Sequence, residues 1–427
     1  MIYKGTFWIP NKENSKLNGI LTVEKGNDFS LELFGIFETK LENHEIILGV
    51  VEGNKRVTLY NCISISETES EYSFSKKIIS TVIFNEHFSN EICMNYIDFK
   101  FNGLEIWNSN FDFDNDKLKE IVKFDNNYSK LEYKIYNFIQ ETIGRKISNK
   151  RADSYIRITS KEYKNIDYWL KLLIEQQRFF SIITGLPVNI EKIKTHKKIN
   201  SIEIYDQSFY HTYKGNEIDF LHNSYVKFQD FISEWKLYME NWNKLYDQLK
   251  PTFNLYYLIE FSENKTFVEN EFLMLMQAIE NFHKRKFSSK DILSENRKNS
   301  FIKFTNYSNL KRNNKTYSPS PNLWERIEYL VEEYWVNDMC NIFNSKDTLE
   351  EYLIDRATYY RNYLNHWDKA KEIAIEKYFG NNDKFTNDLI LTERILREFL
   401  KTIILKELGI ELNKYVDKIY NVFKYIE

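Results

Sequence analysis

Eight short apolar or alternating runs fill roughly the first 113 residues of this 427-residue chain, and no helical pattern interrupts them. They lie at 6–10, 19–24, 29–37, 45–51, 56–65, 78–84, 97–101 and 104–107. The separators carry turn chemistry: Lys25-Gly26-Asn27-Asp28, Glu52-Gly53-Asn54-Lys55 and Asn102-Gly103. Gly and Asn accept the positive φ that tight turns demand. Eight strands at this spacing favour a sandwich-like or curled sheet. A doubly wound α/β fold is disfavoured, because its helices would have to alternate with the strands.

From 114 to 250 the pattern is mixed. Leu131, Ile135, Phe138 and Ile139 fit a helical period, so 131–143 reads as a helix, while 118–122 fits either state. Residues 154–160 and 202–205 read as strands. In 166–184, Trp169, Leu170, Leu173, Ile174 and Phe180 recur at helical spacing until Gly185-Leu186-Pro187 stops them. A second aromatic-rich helical pattern covers 220–248. From about 255 onward the chain reads as helices at 271–285, 323–343, 346–366 and 389–408. Ser345 or Asp347 is suited to cap the third, and Gly409 to end the fourth. Four or five helices joined this way form an up-down bundle. The fold class is therefore α+β. A β-rich region with helical elements spans 1–250, with a sub-boundary near 113, and an all-α domain spans 251–427.

The balance of 42% hydrophobic and 28% charged residues describes a globular chain. No apolar run approaches the roughly 18 residues of a membrane span, and the start, MIYKGTFWIP, lacks a signal-peptide core. The cytoplasm is the expected compartment. Cys62, Cys93 and Cys340 are too far apart to suggest a disulfide framework or a zinc knuckle. His44, His87, His196, His211 and His222 lack metal-ligand spacing. There is no Walker loop, dinucleotide-binding glycine turn, H-E-x-x-H or G-x-S-x-G. No metal or other cofactor is expected. A formal charge of −3 argues against a basic coat for nucleic acid but allows a local basic cleft.

The stretch 351–368, EYLIDRATYYRNYLNHWD, has no Gly or Pro and is long enough for about five helical turns. Asn362 and His366 are four apart and share a helix face. Arg361 lies about 140° around the helix from His366. One straight helix therefore cannot make a compact site of Arg361 and His366, whereas two copies of the helix meeting in a symmetric dimer can.

Arg361-Asn362-x-x-x-His366 resembles the signature of HEPN-domain ribonucleases, and IDRATYYRNYLNHWD resembles their ApeA-type branch, which acts in anti-phage defence. The first half of the chain is similar to the N-terminal domain of that branch. The resemblance there rests on Gly5-Thr6-Phe7-Trp8-Ile9-Pro10, Gly19-Ile20-Leu21, Leu31-Glu32-Leu33-Phe34-Gly35, Val57-Thr58-Leu59 and Phe101-x-x-Leu104-x-x-Trp107, in that order.

The resemblance implies a metal-independent endoribonuclease, with Arg361 and His366 catalytic and Asn362 supporting. His titrates near neutrality and suits general acid–base work on RNA, whose 2′-OH is a built-in nucleophile. Arg offers a permanent bidentate charge to the phosphate. Glu280 and Lys284 lie four apart, the spacing of an ordinary surface ion pair. Family bundles bring a polar residue of this helix toward the Arg/His cleft, which keeps Glu280 as a supporting residue. The run His283-Lys284-Arg285-Lys286 and the loop 311–315 offer RNA contacts, with Lys284, Arg285, Lys311 and Arg312 as candidates. Expected partners are RNA, with tRNA a candidate substrate, a second copy of the helical domain, and a phage-derived trigger at the N-terminal region. The alternative is a non-catalytic bundle that dimerises and binds RNA or protein beside a β-rich ligand reader. A third reading is a toxin held by a separate antitoxin.

Overall fold

The computed structural model describes residues 1–24, 26–37, 42–68, 73–108, 118–143, 148–197, 200–209, 219–261, 267–287, 322–366, 369–380, 382–412 and 422–423. For 118–119, 138–143, 148–152, 366, 370–371 and 382 it describes the backbone alone. The chain forms two compact units, Met1–Ser181 with Leu186–Ile232, and Ile182–Gly185 with Ser233–Glu427. The division falls inside a helix, upstream of the 250/251 boundary read from the sequence.

The first unit holds strands β1 (Ile2–Trp8), β2 (Leu17–Thr22), β3 (Phe29–Leu33), β4 (His44–Val51), β5 (Lys55–Thr68), β6 (Phe74–Phe84), β7 (Cys93–Phe101), β8 (Leu118–Asn126), β9 (Leu131–Ile143), β10 (Ser148–Asn165), β11 (Ile190–Lys197) and β12 (Asn200–Asp206). They join in the order β3-β2-β1-β4-β5-β6-β12-β11-β7-β10-β9-β8, and β3 also pairs with β6. That extra pairing closes β1–β6 into a six-stranded barrel, a stricter curl than a sandwich. Closure satisfies strand edges that would otherwise stay open. The alternating residues Phe29, Leu31 and Leu33, with Phe7, Leu21, Ile47, Val57, Leu59 and Ile79, fill its interior. Gly49 stands opposite Phe7 in the β1–β4 register. A Cβ there would lie 2.5 Å from Phe7 Cδ1, so the ring fits only over a glycine.

The same sheet runs on past position 113, where β7 pairs with both β10 and β11. On β7, Ile97, Phe99 and Phe101 face an apolar layer, while Asp98 on the other face receives a bidentate Arg157 at 2.7 and 2.8 Å. Helix α2 (Ile166–Thr184) has the bounds read from the sequence and brings the Phe180 ring to 4.9 Å from Phe101. The helical pattern read over 220–248 is broken: a short α3 (Asp219–His222) ends before the next helix begins at Phe228.

Three local expectations are corrected. Residues 131–143 form strand β9, paired along its length with β10. The helical reading skipped Tyr133; Leu131, Tyr133 and Ile135 are the most deeply buried side chains of its first half, and their period is two. Residues 104–107 form a short helix, α1 (Leu104–Trp107), because Gly103 at φ +77° turns the chain out of the sheet. Strand β11 had no counterpart in the sequence reading; its outer face is lysine-rich and masks the inward Ile190, Ile193 and Thr195.

His44 is buried against the Phe37 ring. Burial first, and then the charge of Lys77, hold its pKa below the ordinary 6.5. The unfolded chain therefore takes up a proton that the folded one refuses. Stability from this group is complete above about pH 6.5 and is lost as pH falls toward the lowered value. Denaturant midpoints of the whole chain measured between pH 7.5 and 5.5 are expected to fall with pH, and less steeply in His44→Gln.

The second unit contains most of α4 (Phe228–Phe261), then α5 (Val268–Lys286), α6 (Leu323–Tyr334), α7 (Cys340–Phe343), α8 (Lys346–Glu350), a π-helical segment (Glu351–Ala357), α9 (Thr358–His366), α10 (Lys369–Phe379) and α11 (Asn382–Glu407). Pro251 removes a donor, and the helix kinks at Leu249 (φ −112°, ψ 16°). The expected helix 323–343 is broken: Trp335 is extended (φ −61°, ψ 133°), which lets Tyr334, Met339, Ile342 and Phe343 all reach the core. Helix α10 was not anticipated. Gly409 at φ +88° ends the last helix, as expected. Phe272, Leu275, Ile279 and Phe282 of α5 and Leu396, Phe399, Leu400 and Ile403 of α11 are fully buried. Arg397 ties α11 to α5 and α4 through Glu271 at 2.8 Å and Glu260 at 3.2 Å.

Candidate active site

The motif lies at the end of a helical run that begins at Ser345. That side chain accepts from Thr348 N at 3.0 Å, satisfying a donor that the first helical turn leaves free. Ser345 is therefore the N-cap, and Asp347 lies inside the helix. Ser345→Ala is expected to cost ~1 kcal/mol, seen as a melting point lower by about 2–4 °C.

The run passes through the π-helical Glu351–Ala357 before returning to α-helix at Thr358. The π segment is upstream of Arg361, so it re-aims the motif as a whole. Arg361 and His366 share one regular α-helix and keep their separation around its axis. His366 closes that helix.

Arg361 is one-third exposed, and its Nη2 is 4.0 Å from Glu280 Oε2. Its Nη1 donates to Asn362 Oδ1 at 3.4 Å. The other carboxylate oxygen of Glu280 holds Lys284 Nζ at 2.5 Å. One carboxylate on α5 thus stands between two cations, one from each helix. At 4.0 Å the contact to Arg361 is longer than a hydrogen bond, and both partners are partly exposed, so it is weak. The guanidinium therefore retains donor capacity for an incoming phosphate.

Other candidates fall elsewhere. Arg285 is exposed and turns toward α4, with Nη1 3.4 Å from Gln248 O. Lys286 is paired with Glu407 at 2.5 Å. His283, named with these residues as a phosphate contact, is fully buried, with Nδ1 2.9 Å from Arg326 Nη1. Four consecutive residues span most of a helix circumference, so one of them had to face the core. Lys311, Arg312 and the rest of their loop lie outside the described residues, as does the His366 side chain. Among the described residues, no group of three or more His, Cys, Asp or Glu side chains is placed to hold a metal, and no helix is long and apolar enough to cross a membrane.

One residue of this neighbourhood had no sequence signal. Asp388 of α11 accepts from both Arg356 Nη1 and Tyr360 OH. Arg356 also pairs with Glu351, at 2.5 Å. Burial first, and then Asp388, raise the pKa of Tyr360 far above that of a free phenol, so it stays a donor. Tyr363 is buried with its ring 5.9 Å from Phe385, a core position.

Residues 2–249 match the family model described as ApeA N-terminal domain 1. Residues 273–414 match the one described as Apea-like HEPN. No curated protein and no solved structure matches the chain.

Proposed function

Because the chain is an ApeA-like protein with a C-terminal HEPN domain, a family of anti-phage defence nucleases, we propose that it is a metal-independent endoribonuclease whose helical domain is controlled by its β-rich N-terminal region. The observation that carries this reading is the intact Arg361-Asn362-x-x-x-His366, with a partly exposed Arg361 facing Glu280.

In the proposed mechanism Arg361 neutralises charge that builds on the phosphate as the 2′-OH attacks. His366 moves a proton, taking it from the 2′-OH or giving it to the 5′-oxygen that leaves. A homodimer through the HEPN domain supplies two of each, so one His serves as base while the other serves as acid. The products are a 2′,3′-cyclic phosphate and a 5′-OH. DNA lacks the nucleophile and is inert. Glu280 pairs with Lys284 and presents its other oxygen to Arg361, so Lys284 is the RNA contact on α5 that stands on the Arg361 side. A phage-derived component meeting the N-terminal region releases the activity, with tRNA as the candidate target and the cytoplasm as the site of action.

The test is sequencing of RNA ends bearing 5′-OH from cells that express the protein, with and without phage. New ends that appear on infection, and only with the wild-type chain, support a triggered ribonuclease. Identical ends from wild type and His366→Ala, at equal protein level, leave the non-catalytic RNA- or protein-binding bundle as the reading.

A further inference from the structure

Arg361 follows a helical segment of unusual geometry. A π turn spends about one more residue per turn than an α turn and is often found at functional sites. Residues after Glu351–Ala357 are therefore set about 100° from where an uninterrupted α-helix would put them. Without the π segment, Tyr360 would stand where Arg361 now does, and Arg361 would turn away from Glu280. A π segment is less favourable than α-helix, so something must hold it.

The holding contacts converge on one side chain. Arg356 lies in the π segment and Tyr360 in the α-helix that follows, so the two straddle the junction at Ala357 and Thr358. Both donate to the carboxylate of Asp388, which is only 12% exposed. The Arg356 guanidinium also lies 4.1 Å over the Tyr352 ring and pairs with Glu351, both inside the π segment. The Tyr360 ring meets Phe385 edge-on at 5.2 Å, one turn before Asp388 on α11. Asp388 and Phe385, one turn apart on α11, thus hold the junction from one side, and Arg356 is braced within the π segment by Tyr352 and Glu351.

We infer that Asp388 is a positioning residue for the nuclease site: through Arg356 and Tyr360 it holds the π-to-α junction in the phase that aims Arg361 at Glu280 and at the substrate phosphate. The inference rests on the reading of this domain as a nuclease. Asp388 touches neither Arg361 nor the reacting atoms; it acts through the helix.

The test compares wild type, Asp388→Asn, Tyr360→Phe and the double variant, each as the full-length protein purified from phage-infected cells. Two measurements are made: steady-state RNA cleavage per folded molecule, and amide hydrogen exchange across 346–366. Asp388→Asn is expected to lower kcat about 10- to 100-fold, the scale of a misaligned catalytic group. The loss falls on kcat rather than KM, because Arg361 meets its full charge only in the transition state. Exchange should quicken in Thr358–His366 while α5 stays protected. Tyr360→Phe, a mild change that keeps the ring packing, should move both readouts the same way, and the double variant should be no worse than Asp388→Asn. Unchanged kcat per folded molecule, even with quicker exchange, overturns the inference and makes Asp388 a simple brace. Wild type that cleaves no RNA removes the nuclease reading; unchanged exchange in Thr358–His366 then overturns the clamp by itself.

Discussion

Arg361→Ala and His366→Ala are each expected to slow RNA cleavage by about 10²–10⁴-fold, with the fold intact. Arg361 lies on a helix whose core contacts come from other residues: Tyr360, Tyr363 and Leu364 are buried, while Arg361 is partly exposed. Truncating Arg361 removes only a weak contact to Glu280 and a long bond to Asn362, so stability should change little. Arg361→Lys should recover a small part of the rate at most, since a point charge lacks the planar fork that matches two phosphate oxygens. His366→Ala should also flatten the pH–rate profile near neutrality, where an imidazole titrates. Cleavage assays on proteins purified from phage-infected cells, at equal circular dichroism, decide this. Rates within a few-fold of wild type for both alanine variants would contradict the catalytic assignment.

The second large effect concerns the barrel. Phe7→Ala is expected to destabilise the N-terminal unit by about 3–5 kcal/mol, the cost of emptying a large, fully buried ring site. Gly49→Ala alone should also be destabilising, by about 1–3 kcal/mol, because its new Cβ meets the Phe7 ring and the core is already full. The two changes occupy the same space across one register pair. The double variant should therefore be more stable than the sum of the two losses predicts, by about 0.5–3 kcal/mol. Denaturant titration of the four proteins measures this coupling. Strict additivity would mean that β1 and β4 do not pair in this register.

How far such features can be read beforehand depends on where their information lies. The barrel strands were legible because their turns carry Gly and Asn and their apolar residues alternate. Closure was not, because the β3–β6 pairing joins segments with two other strands between them. Strand β9 was misread because LEYKIY satisfies two periods, and the sheet edge on either side, not propensity, chooses between them. The helical run through the motif was legible from its lack of breakers and its Ser345 cap. Its π segment was not, since no Gly or Pro marks it; the carboxylate opposite it comes from another helix. The approach of Glu280 to Arg361 followed from the family resemblance, as the spacing alone suggested only its pair with Lys284. The boundary between the units fell where no composition changes, within the continuous α4.

On the proposed mechanism this chain cleaves RNA through its own side chains and the 2′-OH of the substrate. The most direct measurement incubates wild-type protein purified from phage-infected cells with a defined RNA in EDTA, beside the same RNA carrying a single 2′-deoxy nucleotide at the cut position. The ends produced are then identified chemically. The account predicts cleavage in EDTA with 2′,3′-cyclic phosphate and 5′-OH ends, and no cut at the deoxy position. Cleavage that stops in EDTA, or that leaves 5′-phosphate ends or cuts past the deoxy substitution, would contradict it.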